Sequence, residues 1–285
     1  MRLILRFVRD DGNSFILGGS YLDEASWGIT KLEGVGMLQG EFTTESYADM
    51  DGSEITGERI PQRAVDVTAN VKDARNNQIE RRKVLSFFHP KRTYTMYVDR
   101  DGDIRWIVCK VEKLSCSEGA AGCMELEMAL ICPDPYFNSY DNYGKNIAAV
   151  IPLFHFPYEV EIGEELAAGI YNFAKEVVVD NSGDAETYAL IVIEARGEVE
   201  NPKVIQNDAY IRLLDKLASG DKVEIDLVEN TIKKNGENCI RLVDRTSSFS
   251  GMVLGVGNNT ISFGADNGDR NMNVVVYYNL RYLGA

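Results

Sequence analysis

Histidine is almost absent: His89 and His155 are the two in 285 residues, and neither stands in a His-x-His or His-Glu-x-x-His spacing. Metal ions are held by converging ligands, usually with two at short spacing on one element. No metal site is therefore nominated, and no imidazole is singled out as a catalytic base. Cysteine is sparse and odd in number (Cys109, Cys116, Cys123, Cys132, Cys239), with no Cys-x-x-Cys among them. A chain of this length folds without disulfide staples, so reduced thiols are expected. Positive charge is also in deficit: 30 Lys and Arg against 44 Asp and Glu give a formal net charge of -14. Nucleic acid repels such a chain on average and is excluded as a partner. Long hydrophobic runs are missing, and nothing approaches the roughly 20 apolar residues that cross a bilayer. The opening stretch breaks its apolar run with Arg2 and Arg6, unlike a signal peptide. No membrane partner is expected, and the chain is expected to be made in a cytoplasm.

Proline is scarce too (7), whereas glycine (25) and tyrosine (14) are plentiful, a composition suited to strands joined by tight turns. Leu3, Leu5 and Phe7 point one way and Arg2 and Arg6 the other, and Val65, Val67, Ala69 and Val71 likewise recur at every second position. Residues 22–58 are rich in Gly, Asp, Glu and Ser and predict short strands joined by a long extended loop. Asn76-Asn77 offers capping chemistry for a helix over 78–88, with Val84, Leu85 and Phe88 on its apolar face and Pro90 beyond its end. Arg81-Arg82-Lys83 and Lys91-Arg92 read as its solvated face and end. A hairpin follows, with Tyr94, Met96 and Val98 alternating on one strand and Ile104, Trp106 and Val108 on the return. Prolines 133 and 135 and the polar stretch 138–146 mark a domain boundary.

Beyond it the sequence reads as strands: 176–180, the apolar run 188–195, Val223-x-Ile225-x-Leu227, and Ile261 with Phe263. A last face runs from Met272 through Val274, Val276, Tyr278 and Leu280 to Tyr282. Turn signals such as Lys234-Asn235-Gly236 separate them, the pattern of an antiparallel sandwich.

Candidate chemistry is thin. Asp99-Arg100-Asp101-Gly102-Asp103 starts like a calcium loop, but Ile104 and Lys110 stand where an EF-hand needs glycine and glutamate. Ser219-Gly220-Asp221-Lys222 matches Ser-x-x-Lys only by letter. Gly34-Val35-Gly36 and Gly255-Val256-Gly257 do not continue as Gly-x-Gly-x-x-Gly, so no nucleotide cradle follows. Asn258-Asn259-Thr260 fits a glycosylation pattern without an export signal to give it meaning. No catalytic, cofactor-binding or metal-binding residue and no cofactor is assigned. Two readings stay open beside a structural role. A carbohydrate-binding module of a surface or tail adhesin would use aromatics such as Tyr136, Phe137, Tyr140 and Tyr143; a glycan hydrolase would need only two well-placed carboxylates.

Three stretches carry a resemblance. They are Gly57 through Val67 followed by the helix and the 94–98 strand; Leu130-Ile131-Cys132-Pro133-Asp134-Pro135-Tyr136-Phe137; and Val177 through Asp184 with 219–226, 234–236 and 254–261 in order. In order and spacing the chain resembles the distal tail proteins of phages with long non-contractile tails. The resemblance implies a mainly β protein: a ring-forming domain over 1–140, barrel- or sandwich-like with one helix, and a galectin-like jelly-roll sandwich over 141–285. It further implies a virion tail-tip location in a phage or prophage, a homo-oligomeric ring, typically a hexamer, and tail-tube and tail-tip or baseplate proteins as partners. Direct glycan binding is left open. Residues 40–60, the 78–90 helix and the 94–108 hairpin are the expected intersubunit contacts.

Overall fold

The computed structural model describes residues 2–18, 25–48, 51–119, 122–140, 143–146, 148–152, 169–173 and 176–285. They divide into two units: Met1–Tyr140 with Arg281–Ala285, and Asp141–Leu280.

In the first unit the strands are β1 (Leu3–Arg9), β2 (Ser14–Gly18), β3 (Trp27–Glu33), β4 (Glu41–Glu45), β5 (Glu54–Arg59), β6 (Arg63–Val71), β7 (Tyr94–Arg100), β8 (Asp103–Glu118), β9 (Met124–Cys132) and β10 (Phe137–Ser139), with one α-helix, α1 (Asn77–Phe87). Seven of them pair in the order β8-β7-β1-β2-β3-β6-β9, and β9 pairs back with β8, closing a barrel. Closure removes sheet edges, which are costly to leave open. The joint between β2 and β3 is a single parallel pair, Gly18 with Gly28.

Alternation sets the inside of this barrel. β6 buries Val65, Val67, Ala69 and Val71, while β1 buries Leu5 and Phe7 and β7 buries Tyr94, Met96 and Val98. On β8 the buried face is Ile107, Cys109 and Val111, the opposite of the face expected from Ile104, Trp106 and Val108. The reason is a second apolar layer outside the wall. The Trp106 indole donates to the Ser139 carbonyl at 2.8 Å, Trp106 pairs with Tyr97, and the Tyr97 ring meets Tyr140 and the Arg6 guanidinium.

The helix also differs from its expected face. Val84 is buried with Glu80 and Phe87, whereas Leu85 is exposed. Phe88, the C-cap, is buried as expected, but outside the helix; its ring meets Phe7, Phe15, Phe87 and Tyr94. Asn77 does not cap: its side chain donates to Gly122 O and accepts from Met124 N, pinning the helix start to the β8–β9 connection.

The second unit holds β11 (Tyr143–Asn146), β12 (Ala148–Pro152), β13 (Gly169–Phe173), β14 (Glu176–Asn181), β15 (Ala189–Ala195), β16 (Val199–Glu200), β17 (Lys203–Gln206), β18 (Ala209–Arg212), β19 (Lys216–Leu217), β20 (Lys222–Asp226), β21 (Thr231–Lys234), β22 (Glu237–Asn238), β23 (Gly257–Gly264) and β24 (Met272–Tyr278). Its larger sheets run β11-β24-β15-β20-β21-β22 and β14-β23-β17-β18, all antiparallel. β15 lies between β24 and β20 and buries Ile191, Val192 and Ile193 in succession, which is why it reads as one apolar run. The Tyr278 hydroxyl donates to Asp180 O and ties the two sheets. Asn235 and Gly236 both have positive φ, the mirror-image turn that suits a two-residue hairpin.

The terminal face is interrupted. β24 ends at Tyr278, Leu280 is buried, and Tyr282 belongs to a separate strand, β25 (Arg281–Tyr282), which pairs with β10 of the first unit.

Candidate assembly site

Strands β4 and β5 stand apart from the barrel as a two-stranded arm. β4 and β5 pair with each other alone, from Glu41 with Arg59 to Glu45 with Glu54. Every residue of β4 is exposed, and in β5 only Gly57 is less than fully so. The expected extended loop is therefore a hairpin. A bulge between Thr43 and Thr44 shifts the register, so Thr43 faces Gly57 but Thr44 faces Ile55. Paired residues share a face, so Phe42, Thr44, Ile55 and Glu58 lie on one side and Glu41, Glu45, Glu54 and Arg59 on the other. Arg59 is held across the arm by Glu41 at 2.6 Å. Phe42 and Ile55, on the same face of the arm, are each 59% exposed.

Helix α1 is the second exposed element. Its inner face is fixed by a buried carboxylate: Glu80 accepts from the Trp27 indole at 3.2 Å and from Lys83 Nζ at 2.7 Å. Its outer face carries Ile79, Arg82 and Leu85 at positions i, i+3 and i+6, lining a shallow hollow with Gln78, Arg81 and Ser86. Arg9 secures the far end, donating to the carbonyls of Ser86 and Phe87, and Asp11 holds Arg9 in place at 2.7 Å. The hydrogen bond from Arg9 is the main reason the Asp11 carboxyl is held well below the usual carboxylate range.

A third feature was invisible in the sequence. Arg63 opens β6 and is 4% exposed. Its guanidinium donates to four carbonyls, those of Pro135, Gly34, Gly36 and Leu283, at 2.5 to 2.8 Å, and stacks 4.8 Å from the Phe137 ring. Burial pulls the Arg63 pKa down, but a guanidinium stays charged at any ordinary pH. Residues 281–285 complete this cluster. Arg281 pairs with Asp134 and lies over Tyr136, Arg105 lies over Tyr282 and donates to Gly284 O, and Ala285 N donates to Val35 O. The stretch Pro133–Phe137 and the Gly34–Gly36 pair, read as a boundary and as weak motifs, thus form the floor of a clasp. Gly34 has φ +81°, and a Cβ there would sit 2.0 Å from the Ala64 carbonyl oxygen, so glycine is required. Arginine among prolines and glycines gives no sequence signal for this, because its partners are backbone groups.

The remaining candidates resolve into turns and core. His89 is exposed; its Nδ1 accepts from Lys91 N. His155 lies outside the described residues. Asp99–Asp103 is a hairpin turn with positive φ at Asp101 and Gly102. Ser219 and Asp221 close a turn by bonding to Arg196 O and Ala218 N. The Asn259 amide donates to the carbonyls of Gly255 and Gly257. The proposed sugar-groove aromatics separate: Phe137 is in the core, Tyr136 is covered by Arg281, and Tyr140 is exposed against Tyr97, while the Tyr143 side chain lies outside the description. All five cysteines are free thiols. Cys109 and Cys132 are buried in hydrogen-bond contact, and that bond, with burial, pushes the Cys109 thiol far up. Among the described residues no cluster of His, Cys, Asp and Glu could hold a metal, and no helix is long and apolar enough to cross a membrane.

Two family models match the chain in order. "Phage tail protein RIFT-related domain" covers residues 18–132, and "Siphovirus-type tail component, C-terminal domain" covers residues 182–282. The crystal structure of SPP1 Dit (gp 19.1), a hub of the adsorption apparatus in phages infecting Gram-positive bacteria, is similar with a TM-score of 0.71 at 12% identity, over 97% of this chain and 98% of that one. A chain of the phage P2 baseplate in its activated, calcium-containing conformation is similar with a TM-score of 0.56 at 10% identity, over 98% of each. No curated protein matches the chain.

Proposed function

The chain belongs to the siphovirus-type distal tail protein family, and from that membership we propose that it is the hub of a phage or prophage tail tip, joining tail tube to baseplate. It is a structural protein, not an enzyme. The observation that carries the reading is the pair of family models in sequence order, over a fold whose likeness to SPP1 Dit extends through both units.

The finer reading has the first unit, residues 1–140 with the clasp of residues 281–285, forming a ring of six copies stacked between tail-tube and tail-tip proteins. A ring subunit needs two unlike surfaces that meet head to tail and close by rotation. The exposed arm 41–59 and the outer face of α1 are two such surfaces on one chain. The second unit is proposed to be a galectin-like jelly roll acting as a protein scaffold. Its two larger sheets, both antiparallel and tied by the Tyr278–Asp180 bond, support that reading. The scattering of Tyr136, Phe137 and Tyr140 gives no platform for sugar. The site of action is the virion tail tip.

Light scattering and negative-stain imaging of the purified full chain at high concentration, alone and with tail-tube and tail-tip proteins from the same phage, test this. Ring-shaped oligomers, or a stoichiometric complex with either neighbour, are expected. A chain that stays monomeric and binds neither neighbour overturns the proposal.

A further inference from the structure

The ring reading does not say which surface of one copy grips which surface of the next. Both α1 and the arm leave large apolar side chains in solvent: Ile79 is 60% and Leu85 47% exposed, beside the 59% of Phe42 and Ile55. Each pair is accompanied by charge of one sign. Arg81 and Arg82 flank Ile79 and Leu85 and are exposed. On the arm, Glu58 shares the face of Phe42 and Ile55, and Glu41, Glu45 and Glu54 stand on the reverse, with Arg59 the one cation of its two strands. The dimensions agree: Phe42 and Ile55 lie diagonally on adjacent strands, offset by two residues and about 7–8 Å apart, and side chains at i and i+6 of a helix are about 9 Å apart along the axis.

Resting on the ring reading, we propose that the Phe42–Ile55 face of the arm seats on the Ile79–Arg82–Leu85 stripe of α1 in a second copy of this chain, with Glu58 against Arg82. Charge complementarity decides the occupant. A chain of net charge -14 repels copies of itself in general, so a contact between copies must bring opposite signs together locally. The acidic arm and the basic helix face do this, and they are unlike surfaces, as a head-to-tail ring requires. The apolar side chains contribute the affinity and the charges the register. The contact also accounts for the arm itself: a two-stranded hairpin is marginal alone and gains its order from what covers it.

The test is charge reversal in the full chain, read by sedimentation of the purified protein. Glu58→Arg and Arg82→Glu should each weaken self-association about tenfold or more, since close interfacial charge pairs are coupled by that much, and the double variant E58R/R82E should regain most of it. Both positions are exposed, so the melting temperature should stay constant and exclude misfolding as the cause. Single variants that associate like the parent, while the parent forms rings, sink the arm–helix contact and leave the ring reading standing. Loss in both singles without recovery in the double sinks it as well. A parent chain that neither associates nor binds tail neighbours removes the ring reading, and this contact with it.

Discussion

The barrel wall and the arm are both antiparallel β-structure, yet β6 buries every second side chain and β4 buries none. Both mix charged and hydroxylated residues with apolar ones, though β4 has Phe42 as its single large apolar side chain. What differs is closure. β6 has a neighbour on each edge and the barrel interior on one face, so the rule that an apolar residue points inward has something to refer to. β4 has one partner and no interior. A strand is thus stabilised in two separate ways, by its own sheet or by a surface it has still to meet, and perturbations should sort accordingly.

The largest effect is expected at Arg63, where the closed region concentrates four carbonyl contacts on one buried side chain. Arg63→Ala should lower stability by about 3–5 kcal/mol, because buried acceptors lose a charged donor at once. In a unit of this size that is a fall in melting temperature of roughly 10 °C or more. Arg63→Lys, with three donors and no planar fork, should recover only part of it. Differential scanning calorimetry reads both. An Ala variant that melts with the parent would mean that the clasp of residues 281–285 is incidental to the barrel.

Next in size is Glu80. Glu80→Ala strands the Trp27 indole N–H inside the wall and should cost about 1–3 kcal/mol, whereas Glu80→Gln keeps an acceptor and should cost less. Equal losses in urea denaturation would show that the Lys83 charge, not the indole, governs the site.

These two residues also mark where the sequence stopped being readable. β6 was legible because its outward face, Ala64, Asp66, Thr68 and Asn70, is small or polar, so alternation pointed one way. On β8 it did not. Ile104 and Trp106 are apolar on the outside as well, where Trp106 bonds the Ser139 carbonyl and pairs with Tyr97, and a strand apolar on both faces has no preferred phase. The helix misled for a related reason. Leu85 is apolar but exposed, and Glu80 is charged but buried, because Trp27, fifty-three positions away, supplies its donor. The clasp depends on carbonyls of residues near 34, 135 and 283, and no local pattern can announce contacts of that range. The candidate site was legible only as a region. Residues 40–60, 78–90 and 94–108 are the expected contacts; the bulge that puts Ile55 on the same face as Phe42 is a matter of register.

A smaller effect is expected at the barrel's rim from acid. The Asp11 carboxyl is held below its ordinary range by the Arg9 hydrogen bond. A carboxyl that binds its proton less readily folded than unfolded adds stability above the unfolded pKa of about 4, and that stability is lost as pH falls toward the folded value. Asp11→Asn should therefore flatten the acid limb of the stability curve, its difference from the parent shrinking steadily as pH falls below about 4. Parallel curves for parent and variant from pH 2 to 6 would show that Arg9 is held by the helix carbonyls alone.

The smallest expected change in stability is the one that separates the two regions most sharply. Phe42→Ser removes an aromatic ring of the kind whose loss from the barrel, at Phe7, would cost about 3–5 kcal/mol. On the arm it should move the melting temperature of the dilute chain within the scatter of an exposed substitution, about 0.5 kcal/mol, because the ring is already in water. Burial, not residue type, sets the two costs apart. At concentrations where the parent associates, the same variant should shift the association curve to higher protein concentration while leaving the dilute melt untouched. The two readings must diverge for the arm to be a surface awaiting a partner. If the dilute melt falls with the loss of Phe42, the arm packs on its own barrel in solution, and the contrast between closed wall and open arm collapses.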